Sequence, residues 1–428
     1  MPTRTSAPVE SRAYRSARKA YAAIGVDTEK ALRAARSKPI SLHCWQADDV
    51  TGFEVRNAPV DGGGILATGQ SPGRARNGDE IRQDLECALS LLPGAHRVNV
   101  HALYAETDGK AVDRDALTPA HFARWTAWAR KNRLGLDFNT SFFAHPNVRD
   151  GMTLSHPDPA VRRFWLRHGI ACRRIAAAIG KTLRNPCVLN HWLPDGAKDS
   201  PADRWTPRTR LTRSLDEMLA PKWKVDRRWC LDAVEGKLFG IGSEEYVVGS
   251  NEYYSRYSLS RGILLCMDMG HFHPTETIHD KLSAILSFQD RALVHLSRPV
   301  RWDSDHVTLW NDDLQQVFLE LVRGQALDRA FLALDFFDAS INRVAAYGIG
   351  ARAARKALLF ALLQPVRLLQ DLEAQGRHAE KLAWMEEMKT FPFGGVWEEL
   401  CRRDGVAPGP EWMETVRQHE ASVLSGRT

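Results

Sequence analysis

Residues 231–236 read LDAVEG, and three segments of the same kind follow: LLCMDMG (264–270), LVHLS (293–297) and FLALDFF (331–337). Short apolar runs of this length are typical of buried strands. Each run carries one carboxylate or imidazole near its end, and these residues are Glu235, Asp268, His295 and Asp335. One such residue is common, but four in series look like ligands that converge on a cation. The pattern predicts metal-assisted chemistry.

Four similar runs precede this region: ISLHCW (40–45), RVNVHALY (97–104), LGLDFN (134–139) and CVLNHWL (187–193). Helical stretches lie between most of the eight runs, and three of them open on a capping residue followed by proline, at Thr118-Pro119, Asp158-Pro159 and Thr206-Pro207. Proline suits the first helical position because its missing N–H has no intrahelical partner there. Strands that alternate with helices eight times predict an α/β fold, the parallel (β/α)8 TIM barrel, with a doubly wound open sheet as the alternative.

The barrel prediction makes a geometric demand, because catalytic residues of such barrels lie at the carboxyl ends of the strands. Each of the eight runs meets it with a residue late in the run: His43, His101, Asn139, Trp192, Glu235, Asp268, His295 and Asp335. A single Asp at a strand end often only caps the next helix, and a single His is more often a packed core residue. The set as a whole predicts a functional site.

Three regions are predicted along the chain: helices over 1–38, the barrel over 39–349 and an additional helical region over 350–428. The last region has apolar residues at helical spacing, interrupted at Pro365. Amphipathic helices outside a complete barrel must cover the barrel or another subunit.

The composition indicates a soluble globular protein. The 428 residues are 44% hydrophobic and 26% charged, and the net charge of +6 is not gathered in any block of like charges, which disfavours nucleic-acid binding. Seven cysteines without a C-x-x-C pair, several of them inside apolar strands, indicate buried free thiols in a reducing compartment. The first residues lack the apolar core of a signal peptide, and no window is apolar enough to span a membrane. We therefore expect a cytoplasmic protein without membrane contact.

Seven candidate ligands exceed the usual number for one metal ion and suffice for two. The more closed site takes four of them: Glu235, Asp268, His295 and Asp335. The other takes His271, Asp303 and Asp305 and keeps open positions for water and substrate. Asp303 and Asp305 point the same way if the chain there is extended. A Met-Gly turn separates Asp268 from His271 and could aim these two residues at neighbouring sites.

The chemistry of these ligands restricts the metal. Carboxylate and imidazole without thiolate suit Mn²⁺, Mg²⁺ or Zn²⁺ better than a sulfur-bound metal. His273 and His306 lie close by in the sequence, but we expect them to support the ligands or to lie at the surface.

Several longer strings make the resemblance to a known family specific: SLHCWQADD (41–49), LPDGAKD (193–199), KLFGIG (237–242), VGSNEYY (248–254), DMGHFHPTE (268–276), SRPVRWDSDHV (297–307) and LDFFDASINR (334–343). From about residue 12 onward the chain resembles the bacterial L-rhamnose isomerase family. The resemblance implies a barrel with an added C-terminal helical region, a homotetramer in the cytoplasm, and two divalent ions per subunit, usually with Mn²⁺, while Zn²⁺, Co²⁺ or Mg²⁺ are possible. It also implies reversible conversion of L-rhamnose to L-rhamnulose, and it matches the family's manganese ligands to His271, Asp303 and Asp305 and the other metal site to the remaining four.

The resemblance further implies a metal-assisted hydride shift between C1 and C2. Asp335 is our candidate for assisting the proton that passes between O2 and O1. Lys237 is expected to hydrogen-bond a sugar or ligand oxygen from the strand face of Glu235, or only to neutralise the carboxylates. His101, Trp45 and Trp192 are expected to bind the sugar, although a core role competes for Trp45. An enediol route would instead make His101 the base.

The glycine-rich segment 61–77 follows the first strand and predicts an active-site lid, because long loops in barrels are usually functional. A phosphate cradle is disfavoured, since no G-x-x-x-x-G-K-[ST] pattern is present. The segment departs from the family pattern at Leu66, Gln70 and Ser71, and His191 replaces an apolar residue, so another aldose isomerase of relaxed specificity is an alternative.

Two other classes compete. A metal-dependent hydrolase or nuclease on the same barrel gathers similar ligands, but a nuclease should show a basic groove. The second alternative is a sugar-binding protein with a structural metal. It would not explain why the second predicted metal site keeps open positions.

Overall fold

The computed structural model describes residues 10–54, 69–238, 243–300 and 305–427. Its strands are β1 Ile40–His43, β2 His96–His101, β3 Gly135–Asn139, β4 Cys187–Trp192, β5 Gly196–Ala197, β6 Cys230–Glu235, β7 Tyr246–Val247, β8 Leu264–Asp268, β9 Ala292–Leu296 and β10 Ala330–Leu334. Eight of them close into a parallel barrel in the order β1-β10-β9-β8-β6-β4-β3-β2, while β5 and β7 form a separate antiparallel pair. The predicted barrel and each of its eight strands are confirmed.

One helix follows each barrel strand and lies outside the barrel. These helices are α3 Gly78–Ser90, α4 Ala123–Lys131, α5 Pro159–Leu183, α6 Trp205–Leu219, α7 Asn251–Arg261, α8 His279–Leu286, α9 Asp312–Arg323 and α10 Arg343–Leu362. Two helices precede the barrel, α1 Arg12–Ala23 and α2 Thr28–Ser37. Four more end the chain: α11 Val366–Ala374, α12 His378–Glu387, α13 Phe393–Asp404 and α14 Met413–Ser422.

Two of the three predicted helix starts are confirmed, and one is wrong. Asp158 accepts a hydrogen bond from the amide of Ala160 at 2.7 Å, and Thr118 precedes a 3-10 turn that continues into α4. The helix α6 instead begins at Trp205, because the carboxylate of Asp203 accepts from the amides of Trp205 and Thr206, both at 2.9 Å. A carboxylate that satisfies two free amides is a stronger start signal than the Thr-Pro pair inside the first turn.

The outer helices pack on one another and on the barrel helix α10. Tyr14 and Tyr21 of α1, Val396 and Leu400 of α13, and Leu359 of α10 share one buried cluster. Core packing is therefore a role of both the N-terminal and the C-terminal helices. The predicted boundary between the barrel and the C-terminal helical region, at residues 349 and 350, falls inside α10. The division into three regions stays a prediction.

Two further expectations can be compared with the structure. No helix in the described ranges is long and apolar enough to cross a membrane. All seven cysteines are free thiols, and six of them are buried, as the sequence predicts.

Successive side chains along each strand point alternately into the barrel and out of it, because strands have a two-residue period. Small and aliphatic inward residues fill its middle: Val188, Ala233, Leu264, Cys266, Leu293 and Ala333. The strand register then sets the carboxyl ends side by side, with Trp192 opposite Glu235 and Asp268 opposite His295. Polar side chains late in each strand therefore meet above the apolar middle.

Candidate metal and sugar site

Four side chains meet at the carboxyl end of the barrel, three of them buried and that of Asp335 partly exposed. They are the four that the sequence predicts for the more closed metal site. The Nδ1 atom of His295 lies 2.9 Å from Asp335 Oδ2, 3.2 Å from Glu235 Oε1 and 3.4 Å from Asp268 Oδ2. Their ligand atoms all lie within 4.8 Å of one another. Three carboxylates thus surround one imidazole.

Neighbouring groups hold two of these carboxylates in place. The amide of Asn190 donates to Glu235 Oε2 at 2.5 Å. The hydroxyl of Ser297 donates to Asp268 Oδ1 at 2.8 Å, and the backbone N–H of Gly270 donates to the same oxygen at 2.5 Å. The other oxygens, Glu235 Oε1 and Asp268 Oδ2, are buried and accept no hydrogen bond from the described residues. Both open oxygens face His295.

Burial and mutual charge shift the pKa values of these groups in different directions. Burial opposes ionisation of Glu235, but His295 and His271 outweigh it and hold the pKa of that carboxyl well below its usual range. Burial raises the pKa of Asp335 to about 6, against the pull of His295. Burial would lower the pKa of His295, yet Cys266 and the carboxylates Glu235 and Asp335 raise it well above its ordinary value. The cluster therefore favours a positive charge at its centre.

The arrangement fits a divalent cation. Ligand atoms about 2.2 Å from one ion lie at most about 4.4 Å apart, close to the spread of this cluster. Burying the open oxygens of Glu235 and Asp268 is costly unless a cation compensates them. Carboxylate oxygens with an imidazole suit Mn²⁺, Mg²⁺ or Zn²⁺.

A thiol also lies at this site, which the sequence analysis did not include. Cys266 is within 4.8 Å of the ligand atoms of Glu235 and His295. Burial, together with the charge of Glu235, raises the pKa of its thiol well above the ordinary value, which opposes the thiolate form that a metal ligand needs.

The predicted second site is described only in part. The Nδ1 atom of His271 lies 3.2 Å from Glu235 Oε1, the same oxygen that faces His295. Asp305 lines the adjoining cavity, while Asp303 lies outside the described residues. The extended chain assumed for Asp303 and Asp305 is wrong at Asp305, whose φ of 47° is left-handed. Glu235 thus stands between the two predicted sites, where one carboxylate can serve both.

The two nearby histidines behave as expected. His273 is exposed and contacts Thr275 at 2.7 Å, and His306 lies 3.8 Å from the carboxylate of Asp338.

An aromatic cavity opens beside the cluster. It is bordered by Glu235, His271, Asp305 and Asp335 on one side and by these residues on the others: Trp45, Val50, His101, Asn139, Phe143, Asn190, Trp192 and Phe337. The ring of His101 packs on Trp45 with a centroid distance of 4.4 Å, and its Nδ1 lies 3.0 Å from the hydroxyl of Ser141. Burial lowers the pKa of His101 to about 3, so this imidazole is neutral near pH 7. Trp45 is 1% exposed, and it is both a core residue and a cavity wall.

Lys237 takes a position that its sequence spacing does not predict. The strand β6 ends at Glu235, so the shared strand face assumed for Lys237 is wrong. Its backbone N–H donates to Gly249 O at 3.1 Å, and its Nζ donates to Pro194 O at 3.3 Å. The Nζ also lies 5.6 Å from the centre of the Trp192 ring. Lys237 therefore supports the aromatic wall of the cavity.

The segment 61–77 is described only from residue 69. Leu66 lies outside the described residues, Gln70 is exposed, and the N–H of Ser71 donates to Ala339 O at 2.7 Å. The lid interpretation stays a prediction. His191 is buried against Asp232, 3.0 Å from its carboxylate, on the outer side of the strands.

Sequence reasoning missed Asn190 and Ser297, which orient the carboxylates. Asn190 lies two residues before Trp192, and Ser297 lies two residues after His295. Because a strand alternates its faces, Asn190 shares the inward face of Trp192 within β4, and that alternation was the available signal for Asn190. Ser297 lies one residue beyond the end of β9, so strand alternation gave no such signal for it.

The fold and the site together define the class of protein: a (β/α)8-barrel enzyme with a candidate metal cluster and an adjoining cavity at the carboxyl ends of its strands. The family model described as L-rhamnose isomerase (RhaA) matches residues 9–427. The L-rhamnose isomerase of Rhodopirellula baltica is 54% identical over 417 residues, covering 97% of each chain. That of Escherichia coli is 51% identical over 416 residues, covering 97% of this chain and 98% of its own. The chain belongs to the L-rhamnose isomerase family and is an isomerase.

Proposed function

We propose that the protein interconverts L-rhamnose and L-rhamnulose. The observation that carries the proposal is the buried carboxylate–imidazole cluster beside an aromatic cavity, in a chain of this family. Neither the family nor the relatives support the hydrolase or nuclease alternative.

The four clustered residues Glu235, Asp268, His295 and Asp335 would hold one Mn²⁺ ion, and His271 and Asp305 together with Asp303 would hold a second. Zn²⁺, Co²⁺ or Mg²⁺ are alternatives for either position. When bound, such ions stabilise negative charge on the sugar oxygens O1 and O2.

The cavity residues position the sugar. The rings of Trp45, Trp192 and Phe143 offer apolar faces to the C–H groups of the substrate. A neutral His101 can donate or accept a hydrogen bond with a sugar hydroxyl without adding charge. Lys237 would support the Trp192 wall, and its Nζ, which donates to Pro194 O, would also donate a hydrogen bond to a sugar or ligand oxygen.

Asp335 is the proposed proton carrier. Its side chain is 18% exposed, compared with 1–2% for the other three residues of the cluster, so it is the cluster residue most open to the cavity, which Glu235 also borders. In the proposed reaction the hydrogen on C2 moves with its electron pair to C1, while Asp335 passes the proton from O2 to O1. The aldose carbonyl at C1 thereby becomes a hydroxyl, and C2 becomes the ketose carbonyl.

Running the conversion in D₂O tests this route. A direct transfer leaves C1 of the ketose free of solvent deuterium, and NMR at C1 measures it. Substantial incorporation would instead indicate an enediol, with His101 as the base.

A panel of aldoses with Mn²⁺ present tests the proposed substrate. We expect ketose formation with the highest kcat/KM for L-rhamnose, measured by chromatography. If another aldose gives the higher value, the enzyme is an aldose isomerase of relaxed specificity.

We also propose a cytoplasmic homotetramer that binds neither nucleic acid nor membrane. Two aromatic residues are available for subunit contacts, because Trp205 is 86% exposed and Phe288 is 77% exposed. Light scattering on the purified protein measures the subunit number, and a monomer would contradict the proposal.

A further inference from the structure

Arg114 is a fully buried arginine outside the metal cluster, with 0% of its side chain exposed. It begins a 3-10 turn, Arg114–Ala116, between β2 and α4. One terminal guanidinium nitrogen donates to the carbonyl of Ser141 and, at 2.5 Å, to the carbonyl of Phe143. The other terminal nitrogen donates to Ala144 O at 3.1 Å. A single side chain therefore binds three carbonyls of the turn that follows β3.

That turn has a backbone conformation that its residues do not favour. Ser141 has a φ of 54° and Ala144 has a φ of 47°, both in the left-handed region that residues other than glycine rarely occupy. Such backbone persists only where surrounding contacts impose it. The guanidinium of Arg114 supplies those contacts from inside the turn.

The same turn carries one wall of the cavity. The hydroxyl of Ser141 lies 3.0 Å from Nδ1 of His101. The ring of Phe143 meets His101 edge-on with a centroid distance of 5.4 Å, and it meets Trp192 at 5.9 Å. The orientations of His101 and Phe143 thus depend on a turn that Arg114 holds.

Arg114 also joins this wall to the segment that follows β1. Its Nε donates to Glu54 Oε1 at 2.6 Å, and a terminal nitrogen donates to Glu54 Oε2 at 2.9 Å. The planar fork of arginine makes such paired bonds and reaches the carbonyls at the same time, which a lysine ammonium cannot do.

We propose that Arg114 is a positioning residue for the sugar: it holds the turn 140–144 so that His101 and Phe143 face the substrate. The proposal rests on the proposed function, because it takes the cavity to be the sugar site. Loss of Arg114 should weaken sugar binding while leaving the metal cluster unchanged, since the four clustered ligands lie on other strands.

Steady-state kinetics of Arg114→Lys test the proposal, with L-rhamnose as substrate and Mn²⁺ in excess. We expect KM to rise about tenfold while kcat and the bound metal per subunit, measured by elemental analysis, stay within about twofold. The matched control is Arg355→Lys. Arg355 is also buried and donates to three backbone carbonyls, those of Ala35, Lys38 and Ala95, but it lies at the other end of the barrel. The control should lower Tm without changing KM.

An unchanged KM in Arg114→Lys, or an equal rise in both variants, would overturn the proposal. If Arg114→Lys does not fold, Ser141→Ala and Glu54→Gln decide instead. Ser141→Ala removes the contact with His101 and a long hydrogen bond from the Leu103 N–H at 3.4 Å. Glu54→Gln removes only the charge that anchors the guanidinium, so each variant should raise KM. An unchanged KM in both would overturn the proposal.

A crystal structure of Arg114→Lys separates this proposal from the proposed function, because it needs no turnover. We expect the Ser141–His101 contact to be broken in that variant and intact in Arg355→Lys. An intact contact in both would overturn the positioning role even if the enzyme isomerises L-rhamnose. A broken contact together with a wild-type protein that forms no ketose would refute the proposed function alone.

Discussion

The two ends of the barrel interior hold buried charges in opposite ways. At the amino end of the strands, Arg97 donates to both oxygens of Asp137, at 2.9 and 2.8 Å. The hydroxyl of Ser41 and the amide of Val188 donate to the same carboxylate, at 2.8 and 3.1 Å. At the carboxyl end, three carboxylates surround His295, and the described residues donate no hydrogen bond to Glu235 Oε1 or Asp268 Oδ2.

The chain itself compensates the buried carboxylate at the amino end of the barrel, but it does not fully compensate the carboxylates at the carboxyl end. A buried carboxylate is costly unless a cation and hydrogen bonds satisfy it. Arg97, Ser41 and Val188 together donate to both oxygens of Asp137, so the charges at the amino end have a structural role. The other end concentrates acceptors without an equal number of donors, which favours an external cation, and it adjoins the cavity. The chemistry belongs at the end whose charges the chain does not balance.

Removing divalent ions should have the largest effect. Without a cation, the carboxylates at the carboxyl end repel one another, and the sugar oxygens lose their electrostatic stabilisation. We expect dialysis against a chelator to abolish isomerisation and Mn²⁺ to restore it, measured by ketose formation. Full activity in a preparation shown by elemental analysis to be free of metal would contradict the proposed centre.

The exchange Asp137→Asn should break the amino end alone. It leaves Arg97 buried without its carboxylate, which costs about 3–5 kcal/mol of the free energy of unfolding. Chemical denaturation measures this loss, and kcat of the folded fraction should stay close to that of the wild type.

The matched variant is Glu235→Gln at the carboxyl end, with turnover assayed in excess Mn²⁺ and stability measured without metal. Turnover should be lost, because a proposed metal ligand is changed, while the loss of stability should be smaller than in Asp137→Asn, because Asp268 and Asp335 still compensate His295. Equal stability losses in the two variants would mean that the two ends do not differ as described.

The exchange His271→Ala should lower kcat by about 100-fold, the scale of removing one catalytic electrostatic group. The fold should persist, because His271 borders the cavity beside Glu235 and is not among the residues of the apolar middle of the barrel. His273→Ala is the control, since His273 is exposed two residues away and should leave kcat unchanged. Near-native turnover in His271→Ala would remove this residue from the predicted metal site.

A smaller effect is expected at a third charged cluster, where His419 and Arg427 both bind Asp84. The hydrogen bond that His419 donates to the Asp84 carboxylate raises the pKa of His419 to about 9. Because this folded-state pKa lies above the usual value of about 6.5, the stabilisation is complete below that pH and is lost as pH rises through about 9. The Tm difference between wild type and His419→Gln should therefore shrink from about pH 6 to about pH 10. A difference that is constant with pH would contradict the pairing.

The sequence by itself determined the barrel and the place of its site. Eight apolar runs alternate with helices, and parallel neighbours require such crossover helices, so the closed barrel follows from local pattern. Because all strands of a parallel barrel end at the same face, Glu235, Asp268, His295 and Asp335 had to meet there. Their chemistry also follows from residue type alone.

Tertiary structure decided the contacts between side chains that are distant in the chain. Three such contacts shape the site: Asn190 binds Glu235, Ser297 binds Asp268, and Arg114 binds the turn after β3. The partners lie on neighbouring strands and loops, up to 45 residues apart in the chain. The strand end at Glu235 and the left-handed φ of Asp305 also moved Lys237 and Asp305 away from their predicted directions. The physical reason is that strand periodicity fixes only which face a residue shares, whereas packing between elements fixes which atom it meets.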